Sequence, residues 1–526
     1  MAQTYFTPTI AKKNGVLFDN TANYNGLDPF NLYRADAAYR PVEFTFEVDT
    51  TLDDGLPRFV IPLRQQSCDL RVFWGDGERT ILTAGQGPGS DHTYAVGGTY
   101  QIATVGTMPD WSTLLGSTRD RKKITTVLEW GDNFNPGSFS WYDVDNLVTF
   151  DATGGPTYIA GELAGTFVSA GSMNDDLSGW DVSGASDFNS VFRGAVAFND
   201  PSINSWSVSG VSTFLECFQF CSYNGSLLNW DATGATSMNN FGARAAFNGD
   251  ISNWNVSSVT DMAEAFKENT AFNRDISGWN VSSVRFMNQM FRRAAAFDID
   301  ISGWDVSSVE NMTSMFEAGF VGETIFNQNL TSWDVSSCTN FSAMFQLTNF
   351  AGDVSEWKIN TLTPVSMGRI FNACPLFNSD ISTKVVNPGL PNQYTAWDVS
   401  QVISMNEMFQ SSPVFNQPIG NWDTGNVTTM KEMLKGTAVF NQDISGWSIA
   451  SLQIATGFLE SNGAFSTTNY DLLLDSTTGW ASQSTIQNNV GIHFGSTQYT
   501  LGGNAEAGRN ILTGTYGWTI IDGGGV

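Results

Sequence analysis

FNRDISGWNVSSVRFMNQMFRRAAAF, residues 272–297, is the stretch that decides the fold. Ile276, Trp279, Val281 and Val284 sit in a short run rich in β-branched and aromatic residues. Met287, Met290 and Phe291 follow at spacings of three and four, the period of one helical face. The unit therefore reads as a short strand near "DISGWNV", a turn at "SS" and a brief helix near "RFMNQMF". A two-turn helix is marginal by itself, so its neighbours must supply the stability.

Those neighbours are copies of the same phrase. Its tryptophan recurs as Trp180, Trp206, Trp230, Trp254, Trp279, Trp304, Trp333, Trp357, Trp397, Trp422 and Trp447. The successive gaps are 26, 24, 24, 25, 25, 29, 24, 40, 25 and 25 residues. A near-fixed period over eleven units predicts a solenoid whose coils share one continuous core. At ~4.8 Å per coil the array would be roughly 50 Å long. Alternation with Ile and Val places the indoles inside, where each stabilises its coil by ~2–3 kcal/mol. The Phe-Asn pair recurs through Asn199, Asn248, Asn273, Asn327, Asn378, Asn416 and Asn441. A short amide at a fixed bend can satisfy backbone groups and stack into a ladder. Asp181, Asp231, Asp305, Asp334, Asp398 and Asp423, each directly after a tryptophan, read as turn residues rather than catalytic acids.

The repeats resemble the BspA type of leucine-rich-like surface repeat. "MFRRAAAFDIDISGWDVSSVENM", residues 290–312, carries that family's phrase almost letter for letter. Its closing unit is matched by "NYDLLLDSTTGWASQ" (469–483) and "GRNILTGTYGWTIIDGG". The resemblance implies a right-handed leucine-rich-repeat-like solenoid and a role in surface adhesion or recognition, without catalytic residues. Residues 41–150 read as short strands with turn signals. Within them Trp74, Gly75, Asp76, Gly77, His92, Thr93, Tyr94, Gly98, Thr99 and Tyr100 resemble the polycystic-kidney-disease type of β-sandwich. The expected organisation is an extended docking arm at 1–40, a β-sandwich capping domain at 41–150, the solenoid at 151–465 and a C-terminal capping unit at 466–526. The arm has spaced aromatics (Tyr5, Phe6, Phe18, Tyr24, Phe30, Tyr33, Tyr39) and no period, so it reads as an assembly segment.

Composition narrows the partners. A net charge of -27 argues against duplex nucleic acid or an anionic membrane. No run reaches membrane-spanning length. The opening MAQTYFTPTIAKKNG has no apolar core of a secretory signal. Cys68, Cys217, Cys221, Cys338 and Cys374 show no disulfide framework, and Cys217 and Cys221 stand where other coils carry apolar residues. No cofactor or metal pattern is present in the sequence. The two histidines, His92 and His493, lie some 400 residues apart. Acids outside the repeat register, Glu323, Asp353 and Glu356, are the candidates for glycoside cleavage.

Breaks in the period point to ligand contacts. The longest gap inserts "TKVVNPGLPNQYTA", with Pro388, Pro391 and Tyr394, and the 29-residue gap places Phe320 outside the coil. Arg193, Lys267 and Arg292, each after a helical Phe, form a possible cationic stripe for acidic glycans. The basic run Arg119, Arg121, Lys122 and Lys123 reads as a solvated loop meeting an acidic neighbour. The expectation is a non-enzymatic structural and recognition protein: a bacteriophage virion component (tail fibre, appendage or capsid decoration) that touches a glycan or protein of the host surface. Its arm would contact other assembly proteins, and homo-oligomers are compatible with the design. The alternatives are a bacterial cell-surface adhesin and a polysaccharide depolymerase.

Overall fold

The computed structural model describes residues 44–63, 69–82, 91–107, 111–113, 120–131, 139–150, 155 and 161–526. The expected arm at 1–40, Cys68 and Arg119 lie outside the described residues.

From Leu163 to the C-terminal unit, each repeat is hydrogen-bonded to the next in parallel register. The pairing is narrow. Single-residue parallel bridges run through Thr213, Ser237, Asp261, Phe286, Asn311, Asn340 and Ser366, then through Ser404, Thr429 and Ile454. These positions follow the second Val of the phrase, so the strand expected at "DISGWNV" does not form; a tight turn at Ser277–Gly278 occupies it and a second follows at Ser282–Ser283.

The expected helix at "RFMNQMF" is also absent. The amides of Met287, Gln289, Phe291 and Arg293 donate across to Asn311, Thr313, Met315 and Glu317 of the next repeat at 2.8–3.0 Å. Those of Met290, Arg292 and Ala294 turn back three residues at 3.0–3.2 Å. An α-helix would direct every amide back within the coil and leave none for the neighbour. The alternation is achieved by placing every fourth residue in the left-handed region, Gln289 and Arg293 both at φ 57°. That costs about 1–2 kcal/mol per residue for an L-amino acid, so it persists only because the cross-coil bonds and the core hold it.

The core is aromatic. Phe266, Phe291, Phe316, Phe345 and Phe371 stack along the array at centroid spacings of 5.5–5.8 Å. The tryptophans are almost fully buried, and Trp357, Trp397, Trp422 and Trp447 stack at 6.0–6.2 Å. Each indole from Trp206 to Trp447, and Trp480 after them, donates to a backbone carbonyl of the preceding coil at 2.7–3.3 Å; the acceptor is the Ile, Leu or Val three residues before the preceding tryptophan, except that Trp422 reaches Ile381, ahead of the long insertion. A buried ring thus carries its one polar atom to a fixed partner, which sets the register between coils.

The N-terminal region is built on a six-stranded sheet. Its strands are β1 (Phe44–Asp49), β3 (Asp69–Phe73), β4 (Arg79–Leu82), β6 (Thr99–Thr107), β8 (Ile124–Glu129) and β10 (Thr149–Phe150), in the order β10-β8-β1-β6-β3-β4. Two ribbons join it, β2 (Arg58–Val60) with β5 (Asp91–Thr93) and β7 (Trp111–Ser112) with β9 (Phe139–Ser140). Parallel pairing of β7 with β9, then Trp141 N–H to Thr166 and Asp143 N–H to Val168, carries the stacking pattern back into this region. Trp130 and Phe150 meet Trp180, Phe150 also meets Phe167, and Trp141 packs on Phe150, so sheet and repeats share one core. The basic run differs from expectation at Lys123, which is fully buried. It bonds Asp120 and Asp54, each at 2.8 Å, and the carbonyls of Leu56 and Arg58. Arg121 and Lys122 pair with Asp143.

The chain closes with α1 (Thr467–Leu474), capped by Ser466, and α2 (Asn504–Gly514). Asp522 is the clasp of this unit. It accepts from Tyr470 at 2.7 Å and from Arg509 at 2.8 Å, joining both helices to the last strand.

Candidate functional site

Three surfaces run along the repeats. On the first, at the tryptophan corner, aspartates and asparagines close turns: Asp275 accepts the Ser277 amide at 3.0 Å, Asn280 that of Ser282, and Asp305 that of Ser307. The Ser277 and Ser302 hydroxyls and amides hold the Asp275 and Asp300 carboxyls below the usual carboxylate range. These acids therefore act as turn-formers. The neighbouring bend carries the asparagine ladder. Asn199, Asn224, Asn248 and Asn273 each accept from the backbone amide of the next member with Oδ1, and Asn327, Asn378, Asn416 and Asn441 repeat the pattern, all at 2.6–3.1 Å.

On the second surface, the proposed cationic stripe is neutralised. Arg193 pairs with Glu216, Lys267 with Glu264, and Arg292 with both Glu268 and Glu317. Lys267 is buried. For Arg193 and Arg292 the reason is the stacking, which sets one coil's cation beside a neighbouring coil's acid, whereas Lys267 pairs within its own coil. Arg244, Glu268, Arg292 and Glu317 thus form an alternating ladder, and Arg369–Glu407 and Lys435–Glu460 continue the theme. These cations offer no free stripe to an acidic glycan.

The third surface holds the interruptions. Phe320 is 61% exposed, with Val321 beside it, on a loop pinned by Glu323 to Arg293 and to the Gly319 amide. Ile325, Leu376, Val414 and Val439, each just before the repeated Phe, are exposed as well. The first half of the array carries Ala246, Ala271 and Ala296 there. This aliphatic row was legible as a substitution pattern, but its exposure depends on which side of the bend faces out. The longer insertion folds into a hairpin, Lys384–Val386 against Tyr394–Ala396, with Pro388 and Pro391 exposed at its tip. Tyr394 is partly buried and donates to the Glu356 carbonyl at 2.8 Å. The loop precedes the asparagine ladder in its coil and the hairpin follows it, so the two occupy successive corners.

The candidate acids are engaged separately. Glu323 holds Arg293, Asp353 accepts from Ser355 and Ser379, and the Glu356 carbonyl accepts from Tyr394. His92 bonds Asp76 at 2.7 Å and lies on Trp74, a packing role, and His493 accepts the Gly495 amide. Cys217, Cys221, Cys338 and Cys374 are buried free thiols. Burial pushes Cys221, Cys338 and Cys374 up to about 12, which keeps them protonated. Among the described residues no group of His, Cys, Asp and Glu could hold a metal ion, and no helix is long and apolar enough to cross a membrane.

Comparison with curated proteins and with solved structures found no significant match. A family described as Mycoplasma protein of unknown function, DUF285, matches residues 157–245, 216–321, 318–388 and 383–478. The matches join into one span, 157–478, over half of the 526 residues, and take in the repeats from Trp180 to Trp447; the chain belongs to this family of repeat proteins.

Proposed function

We propose that the chain is a non-enzymatic structural and recognition protein whose repeats wind as a right-handed leucine-rich-repeat-like solenoid. The observation that carries this reading is the division of labour within a coil. The repeated tryptophan, asparagine and aspartate all bond to backbone, and so build the stack. What varies between coils is the outer aliphatic row, the loop at Phe320 and the hairpin at Tyr394. A rigid rod with variable, partly apolar outer positions suits contact with a macromolecular surface.

The setting we favour is a bacteriophage virion component that touches the host cell surface. A bacterial cell-surface adhesin is the second reading, favoured by the bacterial genus in the matched family's description. Immunogold labelling of particles and cells from cultures of the source organism separates them. Label on particles is the expected result; label on the cell envelope alone replaces the first setting with the second. Label confined to the cell interior overturns both. Phe320→Asp should then reduce binding of the purified chain to host envelopes without altering its unfolding midpoint.

A further inference from the structure

We propose that the junction between the last coil and the C-terminal unit is a subsite for a neutral saccharide. The inference deepens the recognition reading above and rests on it.

The junction holds an open cavity of about 430 Å³, lined by Ser445, Ser448, Thr478, Gln483, Ser484 and Thr485 among others. Thr478 stands two residues before Trp480, as Ser445 stands two before Trp447, so the two occupy equivalent positions on successive turns. Above them the chain departs from the repeat. A 3₁₀ turn at Trp480–Ser482 replaces the usual tight turn, and Gln483 spans the gap with both amide atoms. Its Oε1 accepts from Ile449 N–H at 2.9 Å and its Nε2 donates to the Trp447 carbonyl at 2.7 Å.

The chemistry of the lining selects the ligand class. Most coils place Asp or Asn directly after the tryptophan, which makes this edge acidic on a chain of net charge -27. Here the residue is Ser448, and no charged side chain lines the cavity. The hydroxyls of Ser445, Thr478, Ser484 and Thr485 have no hydrogen-bond partner among the described residues. Unpaired hydroxyls in an uncharged concavity complement a ligand that is itself rich in hydroxyls and uncharged. An anionic sugar would meet the surrounding acidic field with no cation to receive it. Trp447 and Trp480 are buried and do not line the cavity, so no ring stacks on the sugar and affinity should be millimolar, about -4 kcal/mol.

Saturation-transfer NMR on the full chain with cellotriose, triacetylchitotriose and trigalacturonate, each at millimolar concentration, tests this. At least one neutral trisaccharide should receive saturation and trigalacturonate should not. Ser448→Asp restores the residue type that other coils carry, so it should fold, and it should weaken the neutral sugar about tenfold. Thr485→Trp, filling the cavity from its exposed rim, should do the same. No transfer to either neutral sugar, or transfer unchanged in both variants, overturns the subsite. Envelope binding by the unaltered chain in that event leaves the broader recognition reading standing, whereas loss of envelope binding alone counts against that reading.

Discussion

The coils from Trp230 to Trp304 and those from Trp304 to Trp422 solve the same packing problem with different lengths of chain. In the first group the period never leaves 24 or 25 residues; in the second it stretches to 29 and 40. The contacts barely change. Trp279 reaches Ile251 at 3.2 Å and Trp397 reaches Val354 at 2.8 Å across a separation of 43 residues. Asn273 accepts from Asp298, and Asn378 still accepts from Asn416 across 38 residues. Register is therefore fixed by inward rings and ladder amides, and extra residues loop out where a corner has no ladder bond to lose.

The equivalence can be broken most forcefully at the rings. Trp279→Ala and Trp397→Ala should each destabilise the chain by about 3–5 kcal/mol in urea unfolding, from lost burial and an orphaned carbonyl. A much smaller loss at Trp397 would mean that the interrupted coils are held differently. Next come the ladder amides. Asn273→Ala and Asn416→Ala should each cost about 1 kcal/mol, with faster hydrogen exchange at the amides of Asp298 and Asn441 respectively.

Charge pairs on the outer surface should matter less, about 0.5 kcal/mol each, and only in a defined pH range. The Arg369 bond lowers the Glu407 carboxyl, and for Glu268 the effect of partial burial is outweighed by Arg244. Both folded-state values are depressed. Their contribution is thus present above the ordinary glutamate range and lost as pH falls through the lower folded values. Acid unfolding followed by circular dichroism should lose part of its pH dependence in Glu407→Gln. The smallest effect belongs to the hairpin. Tyr394→Phe removes one bond to Glu356 and should leave the global midpoint within about 0.5 kcal/mol, speeding exchange only in residues 384–396.

The period, the inward tryptophans, the turn-forming aspartates and the possibility of an amide ladder were legible because each depends on residue type at a fixed spacing. The spacing of Met287, Met290 and Phe291 misled, since a helix and a chain of turns with left-handed residues can bury the same side chains. Nothing local distinguishes them: the deciding bonds go to residues about 25 positions away. The cationic stripe failed for the same reason. Arg292 looks free along the chain, and only stacking sets Glu268 and Glu317 on either side of it. Likewise the polar cavity near Ser448 arises between two turns 33 residues apart. By itself the sequence determined what is buried and how often it recurs, because hydrophobic periodicity is a property of the linear chain. Only the tertiary structure decided backbone conformation, charge pairing and the cavity, because each depends on what the next coil brings within hydrogen-bonding distance.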